Sequence, residues 1–113
     1  MIIHFVYEPP GARVIFAPRS RGRIPDEVSR LSAERVLMIA TRAMKSHADV
    51  LVQWLGSAVS ARIDGVTQHV PVEKAREAAL IAADADVDLV MCLGGGSAIG
   101  LAKAVAKDTR RPI

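Results

Sequence analysis

The stretch at residues 88–107, DLVMCLGGGSAIGLAKAVAK, limits what this chain can become more than any other. Five apolar residues, Leu89, Val90, Met91, Cys92 and Leu93, run without a break into Gly94, Gly95, Gly96 and Ser97. A short unbroken apolar run is the pattern of a strand buried on both faces. Beyond it, Ile99, Leu101, Ala102, Val105 and Ala106 recur at helical spacing. Glycines between strand and helix let the backbone turn sharply and let an anion approach the peptide N–H groups. The positive end of the following helix then faces that anion. Ser97 is placed to cap the helix or to donate its hydroxyl to a phosphate oxygen. The spacing is neither GxGxxG nor GxxxxGK[ST]. From pattern alone, a phosphate cradle and a tight turn without ligand both remain open.

The rest of the chain supplies strands and helices in alternation. Residues 35–40 (RVLMIA) form a second buried-strand pattern, ended by Thr41 and Arg42. Ser46 is the expected cap of a helix over residues 47–55, with Val50, Leu51, Trp54 and Leu55 on one side and Gly56 as its stop. A weaker strand is expected over residues 59–63, with Asp64-Gly65 turning the chain. A helix over residues 72–83 follows, its Glu73 and Glu77 facing neighbouring basic groups. Before all this, residues 2–7 and 13–17 are β-prone and flank a Glu8-Pro-Pro-Gly11 turn, which reads as an antiparallel hairpin. A basic loop covers residues 18–23, and Pro25-Asp26-Glu27 opens a helix on which Val28 and Leu31 share a face. The expected class is α/β: a Rossmann-like parallel sheet flanked by helices, with an N-terminal β-hairpin. In such sheets ligands bind beyond the carboxyl ends of the strands. Two stretches meet that rule, Thr41-Arg42 and Gly94–Ser97.

Composition narrows the function. The 113 residues suit one domain, and 50% hydrophobic with 4% aromatic residues describes an aliphatic core. The net charge of +3 is concentrated in Arg13, Arg19, Arg21 and Arg23 and in Arg110 and Arg111, without the interleaved aromatics of a nucleic-acid surface. Cys92 is the only cysteine, so no intrachain disulfide forms, and its apolar surroundings suit an inert thiol. His4, His47 and His69 lack metal-ligand spacing, although His69 precedes a helix and could stand at a ligand edge. Trp54 reads as core and Lys103 as a solvated cation. No membrane-length apolar run or secretory signal is present, so a cytoplasmic protein is expected.

The run LGGGSAIGLAKAVA resembles the cofactor loop of the iron-containing (group III) alcohol dehydrogenase superfamily, and within it the maleylacetate reductases. The wider superfamily carries GGGSxxD; here Gly100 stands in the place of that aspartate, as in the GGGSxxGLxK form of the reductases. The HVPVEKA stretch at residues 69–75 and the opening hairpin are similar too, while Ala17-Pro18 departs from a glycine frequent in the family. The resemblance implies NAD(P)H-dependent reduction of maleylacetate to 3-oxoadipate during aromatic-ring degradation. It implies NAD or NADP at Gly94, Gly95, Gly96 and Ser97. It places Thr41 and Arg42 where an aspartate in NAD-preferring relatives holds the adenosine ribose, so tolerance of NADPH is expected. It also implies that these residues are an N-terminal dinucleotide-binding domain lacking a helical C-terminal domain with the metal site and most substrate contacts. No catalytic or metal-ligating residue is assigned here, and the chain alone is expected to be inactive. A parallel sheet without its later strands exposes an edge, so a homodimer is expected. Two alternatives remain: another group III alcohol or hydroxyacid dehydrogenase, and a non-catalytic nucleotide-binding or interaction module.

Overall fold

The computed structural model describes residues 5–7, 11–67 and 71–113, with the backbone but not the side chain of Tyr7. His4 and His69 lie outside the described residues, as do most of the Glu8–Gly11 turn and the start of the first expected strand. The chain divides into two compact units, Met1–Leu31 and Ser32–Ile113.

In the first unit, strands β1 (Phe5–Tyr7) and β2 (Val14–Phe16) pair antiparallel, with Phe5 opposite Phe16. Their rings stack with centroids 5.3 Å apart. The expected basic loop tightens into a 3-10 turn over Ser20–Arg23, which leads into helix α1 (Ile24–Arg30). Pro25 sits in its first turn with Asp26 and Glu27, where a missing N–H and negative charge are both favoured. Glu27 accepts from Arg30 Nε at 2.8 Å and Arg13 Nε at 3.0 Å. Those bonds, that of Arg30 foremost, hold its carboxyl below the ordinary glutamate value. Val28 is buried, but Leu31 caps the helix end at 50% exposure and does not join it.

The second unit is a three-stranded parallel sheet in the order β4 (Val59–Val66), β3 (Val36–Thr41), β5 (Leu89–Leu93). As the central strand, β3 is covered on both faces, which is why Val36, Leu37, Met38, Ile39 and Ala40 are all fully buried. Leu37 and Ile39 face a core shared with helices α3 (Val72–Asp84) and α4 (Gly96–Thr109), through Ala78, Ala82, Leu101 and Val105. By the alternation of a strand, Val36, Met38 and Ala40 face the other side, where helix α2 (Lys45–Leu55) packs with Ala48 and Leu51 buried. No helix among the described residues is long and apolar enough to cross a membrane.

Four local expectations are corrected. Asp64-Gly65 does not turn the chain: β4 runs through it to Val66. The pairs Ile39–Ile63 and Thr41–Val66 leave one extra residue on β4, a bulge that Gly65 accommodates at φ +70°. Ser46 does not cap α2, which starts one residue earlier behind Met44. Trp54 is 47% exposed rather than core, because Leu51 already fills the inward side of α2. β5 is fully covered only at Leu89 and Val90; Met91, Cys92 and Leu93 are half-buried.

The foot of the sheet is fastened by Asp88. Its carboxylate accepts the backbone N–H groups of Glu34 (3.0 Å) and Arg35 (2.9 Å), while its own N–H donates to Arg35 O (2.8 Å). The Arg35 guanidinium lies 3.7 Å from the same carboxylate. Beyond α4 the chain returns to the outer side of β5, where Val90 N–H donates to Pro112 O at 2.8 Å.

Candidate functional site

The register of β3 on β5 brings together the two stretches selected from the sequence. Ala40 lies opposite Leu93, so Thr41 and Gly94 leave the sheet side by side. Gly94 has φ +132°, a conformation open to glycine and strained for other residues. A Cβ placed on it would come within 2.5 Å of Thr41 Cγ2 and 2.8 Å of Thr41 Oγ1. Gly94 is therefore demanded by the fold itself. The next two glycines are different. A Cβ on Gly95 or Gly96 would meet no atom within 4 Å, so the chain leaves open space there.

Gly95 is the N-cap of α4, and the helical ladder opens with Ile99 N–H on Gly95 O at 3.1 Å. The amides before it stand ahead of that ladder at the positive end of a 14-residue helix. Ser97 does not cap this helix with its hydroxyl; it sits inside the first turn, half-buried. The cradle thus offers peptide amides from bare glycines, the chemistry suited to a phosphate or diphosphate. One strand across, Arg42 opens a 3-10 turn over Arg42–Met44 and is exposed. Thr41 before it is half-buried against Gly94.

Cys92 lies below the corner on β5, half-buried, and burial pushes its thiol pKa up, away from the nucleophilic thiolate. Lys103 is exposed on α4. His47 is half-buried on α2. Among the described residues no group of three or more His, Cys, Asp or Glu side chains is placed to hold a metal ion. Iron therefore has no fitted site among them.

Sequence reasoning missed two features at this end of the sheet. The first is the Thr41–Gly94 contact, which only the strand register creates. The second is a cleft of about 210 Å³ at the exit of β4, whose lining includes Ile63, Val66 and Ile81 together with Asp64, Lys74 and Glu77. Thr41 pairs with Val66 at its border. The bulge at Gly65 helps to shape it, and a DG pair gives no hint of that inside a parallel strand. A larger, more open groove of about 550 Å³, lined by Arg76, Leu80 and Asp108 among others, lies at the opposite end of α4, away from the glycines.

Fold and corner together define a parallel α/β unit with a glycine turn at the carboxyl edge of its sheet, and comparison with known proteins places it. Residues 10–111 match the family "Iron-containing alcohol dehydrogenase", and the chain belongs to that family. Its relatives include a maleylacetate reductase of Pseudomonas knackmussii, 39% identical over 98% of this chain and 32% of the relative. Another is maleylacetate reductase 2 of Cupriavidus pinatubonensis, 45% identical over 83% of this chain and 26% of the relative. The crystal structure of maleylacetate reductase from Agrobacterium tumefaciens superposes with a TM-score of 0.82 at 31% identity, over 99% of this chain and 33% of that one. The chain thus spans about a third of the length of the curated relatives it matches.

Proposed function

We propose that this chain is the N-terminal dinucleotide-binding domain of a maleylacetate reductase. In this reading it holds NADH or NADPH for reduction of the carbon–carbon double bond of maleylacetate to 3-oxoadipate, in bacterial degradation of aromatic compounds. The observation that carries the reading is the open glycine corner at the start of α4, beside the exit of β3. It supports the reading because glycine at position 96 has no steric purpose within the chain and is a poorer helix former than alanine. A ligand that needs the backbone bare gives it one.

When bound, the dinucleotide supplies the hydride. The chain's own part is binding and orientation. The amides of the α4 N-terminus take the diphosphate, with the Ser97 hydroxyl available to one of its oxygens. The exit of β3 at Thr41 and Arg42, with the cleft at the end of β4 beyond it, would hold the adenosine half. No carboxylate stands at the β3 exit, where Thr41 precedes the exposed Arg42. A 2′-phosphate at that exit would meet the positive charge of Arg42 rather than a carboxylate of β3, with Asp64 and Glu77 standing further on in the cleft, so both coenzymes are accepted. The substrate wall and any metal belong to parts of the enzyme outside these residues. We therefore expect no turnover of maleylacetate by these residues alone, since a hydride donor without a positioned acceptor gains nothing from proximity.

Isothermal titration with NADH, NADPH and AMP tests this reading. Both dinucleotides are expected to bind with Kd values within about tenfold of each other, a gap of roughly 1.4 kcal/mol. Gly96→Val puts side-chain atoms into the open cradle and is expected to weaken both by about tenfold or more while the fold stays intact. Equal binding by Gly96→Val, or no dinucleotide binding by the wild type, would overturn the proposal.

The same reading places the chain in a cytoplasmic homodimer. The hairpin of β1 and β2 is a two-stranded sheet whose described strand residues carry no charge to protect its edges. Light scattering is expected to give twice the 12.1 kDa mass of the chain. A monomer persisting at high micromolar concentration contradicts this.

A further inference from the structure

We infer that Thr41 is a positioning residue whose side-chain shape, rather than its hydroxyl, sets the glycine corner for the diphosphate. This rests on the reading of the corner as a dinucleotide site, and it assigns Thr41 a task other than contact with the ribose.

The argument starts from direction. Thr41 is the last residue of β3, and its Cγ2, Oγ1 and Cβ all crowd the space above Gly94, at 2.5, 2.8 and 3.2 Å from where a Cβ would stand. A side chain committed to that space is turned towards β5. The contact is made by the branched end of the residue, and a β-branched side chain has little χ1 freedom with which to swing away. Thr41 is therefore a stiff wedge between the exits of two neighbouring strands.

The wedge answers a difficulty that the corner creates for itself. Gly94, Gly95 and Gly96 are consecutive, and each has more backbone freedom than any other residue. No side chain packs within 4 Å of a Cβ position at Gly95 or Gly96. Amides that must be ordered on binding bind more weakly than amides already in place. Gly95 and Gly96 are tied into α4, Gly95 through its carbonyl, which accepts Ile99 N–H, whereas Gly94 precedes that ladder and is packed by Thr41. Emptying the space above Gly94 releases the first hinge of the corner, and the diphosphate then has to order it. The diphosphate is common to NADH and NADPH, so the loss falls equally on both.

Four forms of the protein separate shape from hydroxyl: wild type, Thr41→Val, Thr41→Ser and Thr41→Ala. Valine keeps both branches and loses the hydroxyl; serine keeps the hydroxyl and loses Cγ2. Titration with NADH and NADPH is expected to leave Thr41→Val within about twofold of wild type. Thr41→Ser and Thr41→Ala are expected to be about five- to tenfold weaker for both dinucleotides, with the NADH/NADPH ratio unchanged. The opposite order, with serine normal and valine weak, assigns the hydroxyl to the ribose and overturns the inference while leaving the cofactor site standing. So does equal binding by all four, or a ratio that moves with the hydroxyl. Absence of dinucleotide binding in the wild type removes the cofactor reading and this inference with it. Should Thr41→Ala fail to fold, the valine and serine forms decide the matter.

Discussion

Gly94→Ala is expected to destabilise the protein by roughly 2–6 kcal/mol, whereas Gly96→Ala, two residues on, is expected to change stability by about 1 kcal/mol or less. Both replace a glycine of the same corner with the same methyl group, so chemistry does not separate them. Position does. At Gly94 the backbone sits at φ +132°, and an L-residue held there stores about 1–3 kcal/mol of strain. The added Cβ also collides with Thr41, and overpacking of that kind costs about 1–3 kcal/mol more unless β3 and β5 move apart. Gly96 is the first residue of α4, has free space around it, and gains helix propensity from alanine. Against a typical total stability of about 5–15 kcal/mol, the first change removes a sizeable share and the second does not. Urea titrations of both variants measure the difference. Similar midpoints for the two would mean that Thr41 does not hold Gly94 as described.

Asp88→Ala is the second large effect, expected to cost about 1–3 kcal/mol. The carboxylate bridges the entrances of β3 and β5, and without it the Glu34 and Arg35 amides lose their acceptor. Asp88→Asn keeps one acceptor oxygen and should recover part of the loss. The interaction also makes stability depend on pH. Partial burial disfavours the charged form, but the N–H groups of Glu34 and Arg35 and the Arg35 guanidinium outweigh it and hold the carboxyl below the usual aspartate value. A folded-state pKa below the unfolded one means that the contribution is complete above the unfolded value of about 3.9 and is lost as pH falls through the folded value. Thermal melts from pH 7 downwards should therefore show wild type and Asp88→Ala converging in strongly acid solution. A constant gap at all pH values would locate the effect outside the carboxylate.

How much of this was legible in the sequence depended on the range of the interaction. The unbroken runs at β3 and β5 and the glycines after β5 declared a parallel sheet with a corner, because burial on both faces leaves an unmistakable local pattern. The hairpin and the three long helices were readable for similar reasons. Local signals misled where a second environment was equally local. Asp64-Gly65 has the chemistry of a turn, yet a positive φ serves a bulge equally well, and the register against β3 chose between them. Ser46 and Ser97 carry the hydroxyl of a cap, but both helices begin one residue earlier, and the serines fall in the first turn instead. Trp54 carries the size of a core residue at a position where Leu51 had taken the inward direction. The Asp88 bridge and the Thr41–Gly94 wedge were invisible because each joins residues far apart in the chain. In each case, the side chain acts on a backbone position that pattern alone does not supply.

Asp88 and Gly94 bracket one five-residue strand, and that spacing has a consequence for change over time. The end of β5 that keeps the architecture is anchored by a carboxylate, and the end proposed to meet a ligand is governed by the branched side chain of Thr41. Under the proposed reading, substitutions at that far end would alter what it holds, with the anchored end inherited untouched. A lineage built on this strand can explore new ligands without putting its shape at stake each time.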